Sequence, residues 1–238
     1  MKPFSSYQEM ESLGLQLANE YQKQSKKTKV KCFDVVGFIT EYLHLNIEYI
    51  SFADSSCLGF LSNGKAPVKV LFNGKEHNLI YPENTIVIDK YLLSPSESAR
   101  LRFTLIHEAA HYILKQHSPS QVSCSFFKSE MDAEIKYSFD DLKTMLSLNE
   151  CFADRLGAAI ILPSDKLKKE ITTITGKNKI PVYGDGILAE KEKIVLNRIK
   201  DTFGVSYSTV YRRLKDLNLF EQHSFEEYCG GVLGFGIY

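Results

Sequence analysis

Two histidines with a glutamate between them, in an otherwise uncharged helical segment, constrain this chain more than any other feature of its sequence. His107, Glu108 and His111 stand in the run Thr104–Ile113. Residues four apart on an α-helix lie on the same face, so both imidazoles can reach one ion at about 2.0–2.1 Å. Glu108 lies at the edge of that face, where it is placed to take a proton from water instead of binding the metal. The segment therefore predicts a buried helix with two metal ligands and a general base.

A third ligand is expected from a second helix, because a catalytic zinc needs three protein ligands and an open position. Glu150 and Asp154, which begin 39 positions after His111, share one face of such a helix. We predict Glu150 as the third ligand, and Asp154 as the acceptor of a hydrogen bond from a ligating histidine, which fixes the orientation of that ring. Other carboxylates nearby have no matching partner in so apolar a helix: Glu130, Glu134, Asp140 and Asp141.

The hydrophobic pattern predicts an α+β fold. Asn46 to Phe52 alternates and predicts a strand; short apolar runs between Cys57 and Asp89, divided by Asn63-Gly64 and Asn73-Gly74, predict a small, mainly antiparallel sheet. Ser94-Pro95-Ser96-Glu97 then gives an N-cap, a proline at the first helical position and a glutamate three residues after the cap. That helix is expected to continue to about Gln116, and the sheet is expected to pack against the two helices that carry the site.

The chain is expected to divide into four segments. Gly204 lies between the last two predicted helices, which resemble a helix-turn-helix pair. The segments are an N-terminal helix and linker (1–29), a core that carries the metal site (30–170), a loop (171–190), and a C-terminal helical segment with a tail (191–238).

Composition narrows the class of protein. The chain is 44% hydrophobic and 24% charged, as in an ordinary globular protein, and its 29 basic and 29 acidic residues cancel. A protein that works by gripping nucleic acid usually carries a basic excess, so nucleic acid is not expected as a partner. Five cysteines without a Cys-x-x-Cys pair, no apolar signal segment and no membrane-length apolar run predict a cytoplasmic protein with reduced thiols.

At this point the chain resembles the ImmA/IrrE-type metallopeptidases. The resemblance rests on Arg102–His111, Glu150–Pro163, the preceding run Thr85–Asp89 and the later runs Phe203–Ser206 and Val210–Leu217. It implies a zincin-like fold, one Zn²⁺ per chain, and proteolysis of a regulator protein, often a helix-turn-helix repressor. The chain departs from the family where Asp154 replaces a common asparagine and Leu156 a common phenylalanine.

Three alternatives remain open in the sequence. The first is a DNA-binding regulator that uses the C-terminal helix pair, whose basic residues are Arg198, Lys200, Arg212, Arg213 and Lys215. The second is a zinc-bound sensor without catalysis, closed by a fourth ligand such as Cys124 or Cys151; we expect Cys151 instead to be a buried, inert thiol. The third concerns the metal, since Mn²⁺ or Fe²⁺ could replace Zn²⁺. Nothing in the sequence selects an oxyanion donor between Tyr183 and His223, and the oligomeric state is open.

Overall fold

Helices and short strands alternate along the chain, which confirms the α+β class. The structure, a computed structural model, describes residues 6–26, 30–117 and 139–232, with side chains for all of these except 139–147 and 230–232. The described residues form two compact units, one within 1–29 and 33–161 and the other within 30–32 and 162–238. The described helices include none that is both long and apolar enough to cross a membrane.

The first unit holds every residue of the predicted metal site. Its elements, in chain order, are α1 (Tyr7–Gln24), α2 (Val35–Gly37) with a π-helical turn (Phe38–Tyr42), β1 (Asn46–Ile50), β2 (Gly59–Leu61), β3 (Val68–Phe72), β4 (Lys75–Leu79), β5 (Thr85–Asp89), two 3₁₀ turns (Lys90–Leu93 and Pro95–Glu97), α3 (Ser98–His117) and α4 (Phe139–Ile161).

The main sheet of this unit is mixed: the region predicted to be mainly antiparallel, residues 57–89, forms the antiparallel pairs β2–β5 and β3–β4, but in two separate sheets, and β1 adds a parallel strand to β5. Its strand order is β1-β5-β2, with β1 parallel and β2 antiparallel to β5. The parallel pair joins positions about 40 apart, from Asn46 with Thr85 to Ile50 with Asp89, and a local pattern carries no signal for such a pairing. β5 lies in the centre, and its apolar run is fully buried, as expected for a strand covered on both faces.

A β-hairpin covers one face of this sheet. β3 and β4 are antiparallel and are joined at Asn73 and Gly74, whose φ angles of 51° and 74° allow the tight turn that the sequence predicts. The buried cluster under the hairpin contains Phe52, Phe60, Val68, Val70 and Val87. The other Asn-Gly pair forms a turn but no hairpin, because β2 pairs with β5 and not with β3.

α3 lies close to the edge strand β2 because Gly59 has no side chain. A Cβ atom at Gly59 would stand 2.8 Å from Cδ1 of Ile88 and 3.0 Å from Cγ2 of Thr104 on α3. The predicted N-cap of α3 is corrected: residues 95–97 form a 3₁₀ turn before the helix, and Ser94 makes no side-chain capping bond. Proline fits the first position of a 3₁₀ turn as well as that of an α-helix. The Ser-Pro sequence therefore does not distinguish between these two ways of beginning α3.

The second unit has structure where the sequence predicts a loop and a tail. β6 forms within the expected loop because it pairs in parallel with β7, about 40 positions later. Gly204, with a φ of 64°, ends α6, and Ser206 caps the next helix by accepting a hydrogen bond from the backbone of Thr209 at 3.1 Å. The elements are α5 (Ser164–Thr175), β6 (Ile180–Tyr183), α6 (Glu190–Phe203), α7 (Tyr207–Asp216), β7 (Phe220–His223) and α8 (Phe225–Val232).

Candidate metal centre

Three side chains from α3 and α4 converge on one point. Nε2 of His107 lies 3.1 Å from Nε2 of His111 and 3.2 Å from Oε2 of Glu150. Oε1 of Glu150 lies 3.4 Å from Nε2 of His111. The two rings stand nearly perpendicular, at 83°, so that both Nε2 atoms face the carboxylate. The structure therefore brings together the three residues that the sequence predicts as metal ligands.

The spacing of these atoms fits a tetrahedral metal site. With metal–ligand distances of about 2.0–2.1 Å, two ligand atoms of a tetrahedral zinc ion lie about 3.3 Å apart. The two Nε2 atoms are 3.1 Å apart, and each lies close to a different oxygen of Glu150, 3.2 Å from Oε2 for His107 and 3.4 Å from Oε1 for His111, so all three separations are near that value. Two imidazoles and one carboxylate are also the donor set of many zinc hydrolases, in which the fourth position remains open. Geometry and donor type are both consistent with a metal site.

Asp154 forms a hydrogen bond with the imidazole nitrogen of His107 that points away from the other ligands. Its Oδ1 lies 2.9 Å from Nδ1 of His107. With Nδ1 donating to this carboxylate, a neutral His107 ring would present an unprotonated Nε2, able to bind a cation, towards His111 and Glu150. Asp154 follows Glu150 by four positions on α4, so the same helical face supplies both carboxylates.

Glu108 is buried under the edge of the sheet. Its side chain is 8% exposed, and its carboxylate accepts a hydrogen bond from the backbone N–H of Leu61 at the end of β2. Burial raises the pKa of Glu108, although the two histidines pull it down. A carboxylate with a raised pKa is a better proton acceptor near neutral pH than an ordinary surface glutamate. The bond from Leu61 has no signal in the sequence, because it depends on where the edge strand meets α3.

Charges in the cluster are strongly coupled. Burial lowers the pKa of His107, but its hydrogen bonds to Asp154 and Glu150 outweigh burial and raise that pKa to about 10. Burial acts to raise the pKa of Glu150, yet hydrogen bonds from the two imidazoles hold it at about 2. A proton and a divalent cation compete for the same histidine nitrogens. A cation bound at Nε2 of His107 would therefore replace a proton that the carboxylates of Glu150 and Asp154 now stabilise.

Other residues considered in the sequence lie outside the cluster. Among the described residues, the group able to hold a metal is His107, His111 and Glu150, with no cysteine in it. Cys151 is partly exposed, and not buried as expected, with its Sγ 3.6 Å from Oη of Tyr7. Cys124, Glu130 and Glu134 lie outside the described residues, and the side chains of Asp140 and Asp141 are not described.

In the second unit, three residues considered in the sequence have structural contacts. Tyr183 is buried and packs against the ring of His223, with centroids 5.6 Å apart. His223 also lies near Glu221 and Glu227, on opposite sides of its ring. Arg213 is 4% exposed, and its Nε donates to the carbonyl of Leu162 at 3.1 Å. Arg213 is thus removed from the candidate phosphate-binding residues.

A comparison with family models identifies the class of protein. The model described as Peptidase_M78, IrrE N-terminal-like domain, matches residues 69–215, which include both helices of the metal centre. This match covers more than half of the chain, so the chain belongs to that peptidase family. A comparison with curated proteins gave no match.

Proposed function

We propose that this chain is a zinc-dependent endopeptidase. The observation that carries the proposal is the convergence of His107, His111 and Glu150 at separations of 3.1–3.4 Å, beside a buried Glu108, in a chain that belongs to a peptidase family. In this proposal the two histidines and Glu150 hold one Zn²⁺. A zinc ion in this place supplies a Lewis acid that lowers the pKa of water and polarises a carbonyl group.

Glu108 moves the protons of the reaction. Its carboxylate accepts a proton from the attacking water and later donates it to the leaving amine. Its burial supports this role, because a carboxylate with a raised pKa can both accept and release a proton near neutral pH. The N–H of Leu61 orients the carboxylate, and Asp154 orients His107 by accepting from Nδ1. A closed, non-catalytic zinc site would have no use for Glu108.

The proposed substrate is a protein of the cytoplasm, in particular a transcriptional regulator such as a helix-turn-helix repressor. Support for this class comes only from the resemblance to the ImmA/IrrE-type peptidases. A nucleic-acid partner is not proposed, because the neutral chain lacks a basic excess and Arg213 is buried.

Metal content separates the proposal from its alternatives. We expect about one zinc per chain in the parent protein purified without chelator, and little in His111→Ala and Glu150→Ala. Glu108→Gln should keep its zinc, because this residue is placed beside the ligands and not among them. Plasma emission spectrometry measures the metal, and circular dichroism shows whether each variant is folded.

Hydrolysis tests the assigned base. We expect the parent to cleave an internally quenched peptide library or a panel of purified helix-turn-helix repressors, and Glu108→Gln to lose activity by about 10²–10⁴-fold. A parent without zinc, even after zinc is supplied, would overturn the proposal. Loss of zinc in Glu108→Gln would overturn the division of roles between base and ligands.

A further inference from the structure

The N-terminal helix lies outside the matched part of the chain, yet it packs along the helix that carries Glu150. The family match begins at residue 69, whereas α1 ends at Gln24. Within the first unit α1 packs against α4. A capping box fixes the start of α1: the backbone N–H of Ser6 donates to Glu9, and the backbone N–H of Glu9 donates to Ser6. The first turn of α1 is thus well defined beside α4.

Tyr7 makes the first contact, at the level of the metal centre. Its Oη lies 3.6 Å from Sγ of Cys151, and Cζ of Arg155 stands 3.6 Å from the centroid of its ring. Phe152 packs edge-on against the same ring, with centroids 6.1 Å apart. A guanidinium over an aromatic face is attracted to it even at a partly exposed site. One side chain of α1 therefore contacts three residues within about one turn of α4.

Two of the contacted residues directly follow residues of the site. Cys151 follows Glu150, and Arg155 follows Asp154. Successive residues of an α-helix point about 100° apart. Tyr7 therefore contacts one side of α4, while Glu150 and Asp154 on the neighbouring side face α3. A rotation of α4 about its axis would move both carboxylates and would also break the contacts with Tyr7. This placement opposes such a rotation.

Gly14 makes the second contact, two turns further along α1. A Cβ atom at Gly14 would stand 2.5 Å from Cβ of Ala159 and 3.3 Å from backbone atoms of Ala159 and Ile160. Real Cβ atoms do not approach so closely, and Cβ of Ala159 cannot rotate away. The absence of a side chain at Gly14 therefore sets the distance between the two helices.

We propose that α1 is a positioning element for the metal centre, with Tyr7 and Gly14 as its positioning residues. Tyr7 fixes the rotation of α4, and Gly14 fixes its distance. The inference rests on the proposed function, since it concerns the same three ligands. Ligand distances in a metal site tolerate only about 0.2 Å, so a displacement of α4 by about 1 Å is enough to disturb Glu150. Misplacement of this size in an active site can cost about 100-fold in rate.

The test is zinc affinity, measured by competition with a chromophoric chelator, together with the visible spectrum of the cobalt-substituted protein. We expect Gly14→Ala and Tyr7→Ala to bind zinc at least about tenfold more weakly, the loss typical when the support of a ligand is removed. The cobalt spectrum should change, because it reports coordination geometry and not fold stability. Adding Ala159→Gly to Gly14→Ala should recover most of the affinity, since it removes the closest clash.

A matched control variant removes a hydrogen bond at the other end of α1. Tyr21 donates from Oη to Asp34 at 3.1 Å, away from the metal centre. Tyr21→Phe should lower the thermal midpoint and leave zinc affinity and the cobalt spectrum unchanged. Variants of Tyr7 and Gly14 that match the parent in both readouts would refute the inference alone. A parent that binds no zinc would refute the proposed function and this inference together.

Discussion

Removing the carboxylate of Asp154 tests the orientation of His107 most directly. In the structure, Oδ1 of Asp154 lies 2.9 Å from Nδ1 of His107, a short distance for a hydrogen bond to a charged acceptor. In Asp154→Ala the ring loses this partner, can rotate, and can carry its proton on Nε2, the atom that faces Glu150. We therefore expect weaker zinc binding with the ligand set unchanged.

The size of the loss follows from the exposure of the carboxylate. Loss of such a supporting residue usually weakens metal binding by 10–100-fold, or about 1.4–2.8 kcal/mol. The side chain of Asp154 is 50% exposed, so water can replace part of the hydrogen bond. We therefore expect the low end, about tenfold or about 1.4 kcal/mol. Asp154→Asn retains an oxygen acceptor and should stay within about threefold of the parent.

Competition with a chromophoric zinc chelator at constant pH measures these affinities. Asp201→Ala is the matched control, because it removes the same charge from a carboxylate that pairs with Lys200 in the second unit. This control should bind zinc as the parent does. If Asp154→Ala also binds as the parent does, or if the alanine and asparagine variants are equally weak, the hydrogen bond does not orient the ring.

Three further outcomes are expected. Saturating zinc should raise the thermal midpoint, with about 4 kcal/mol of stabilisation at a free concentration 1,000 times the dissociation constant; Glu150→Ala should lose this increment in scanning calorimetry. Burial first, and the charge of Glu108 second, raise the pKa of Cys57 to about 11, so at pH 8.5 its alkylation should be on the order of 100-fold slower in the native chain than in denaturant. Site-resolved mass spectrometry checks this, and equal rates would contradict the raised pKa. Arg213→Ala should lower the free energy of unfolding by about 2–4 kcal/mol because it removes a buried group and leaves a carbonyl without its donor. The exposed neighbour Arg212→Ala should change it by less than about 0.5 kcal/mol in urea denaturation, and equal effects would count against the packing role.

The parts of the site that depend on local geometry could be predicted from the sequence. His107 and His111 point together because one helix turn separates them, and Glu150 and Asp154 share a face for the same reason. Their meeting across two helices was inferred from the needs of a metal site, and the observed separations agree with it. The hairpin at Asn73-Gly74 is likewise a local effect of backbone conformation.

The parts that depend on distant pairing could not be predicted. β1 pairs in parallel with β5, and β6 with β7, across about 40 positions each. Neither pairing has a turn sequence to mark it. The bond from Leu61 to Glu108 and the contacts of Tyr7 with α4 arise from the same kind of packing. For the surfaces that meet in these contacts, the hydrophobic pattern of the sequence predicts only that each surface is partly apolar.

The division of the metal ligands between two helices has a consequence for how the gene can change. The ends of α3 and α4 are His117 and Phe139, so 21 residues connect them. None of these residues supplies a proposed ligand, and the positions of the three ligands depend on the helix pair. The entropy of closing a connection grows only with the logarithm of its length, about 0.6 kcal/mol for each doubling. An insertion or deletion between the two helices would therefore cost little free energy through chain closure and would leave the three proposed ligands on their helices.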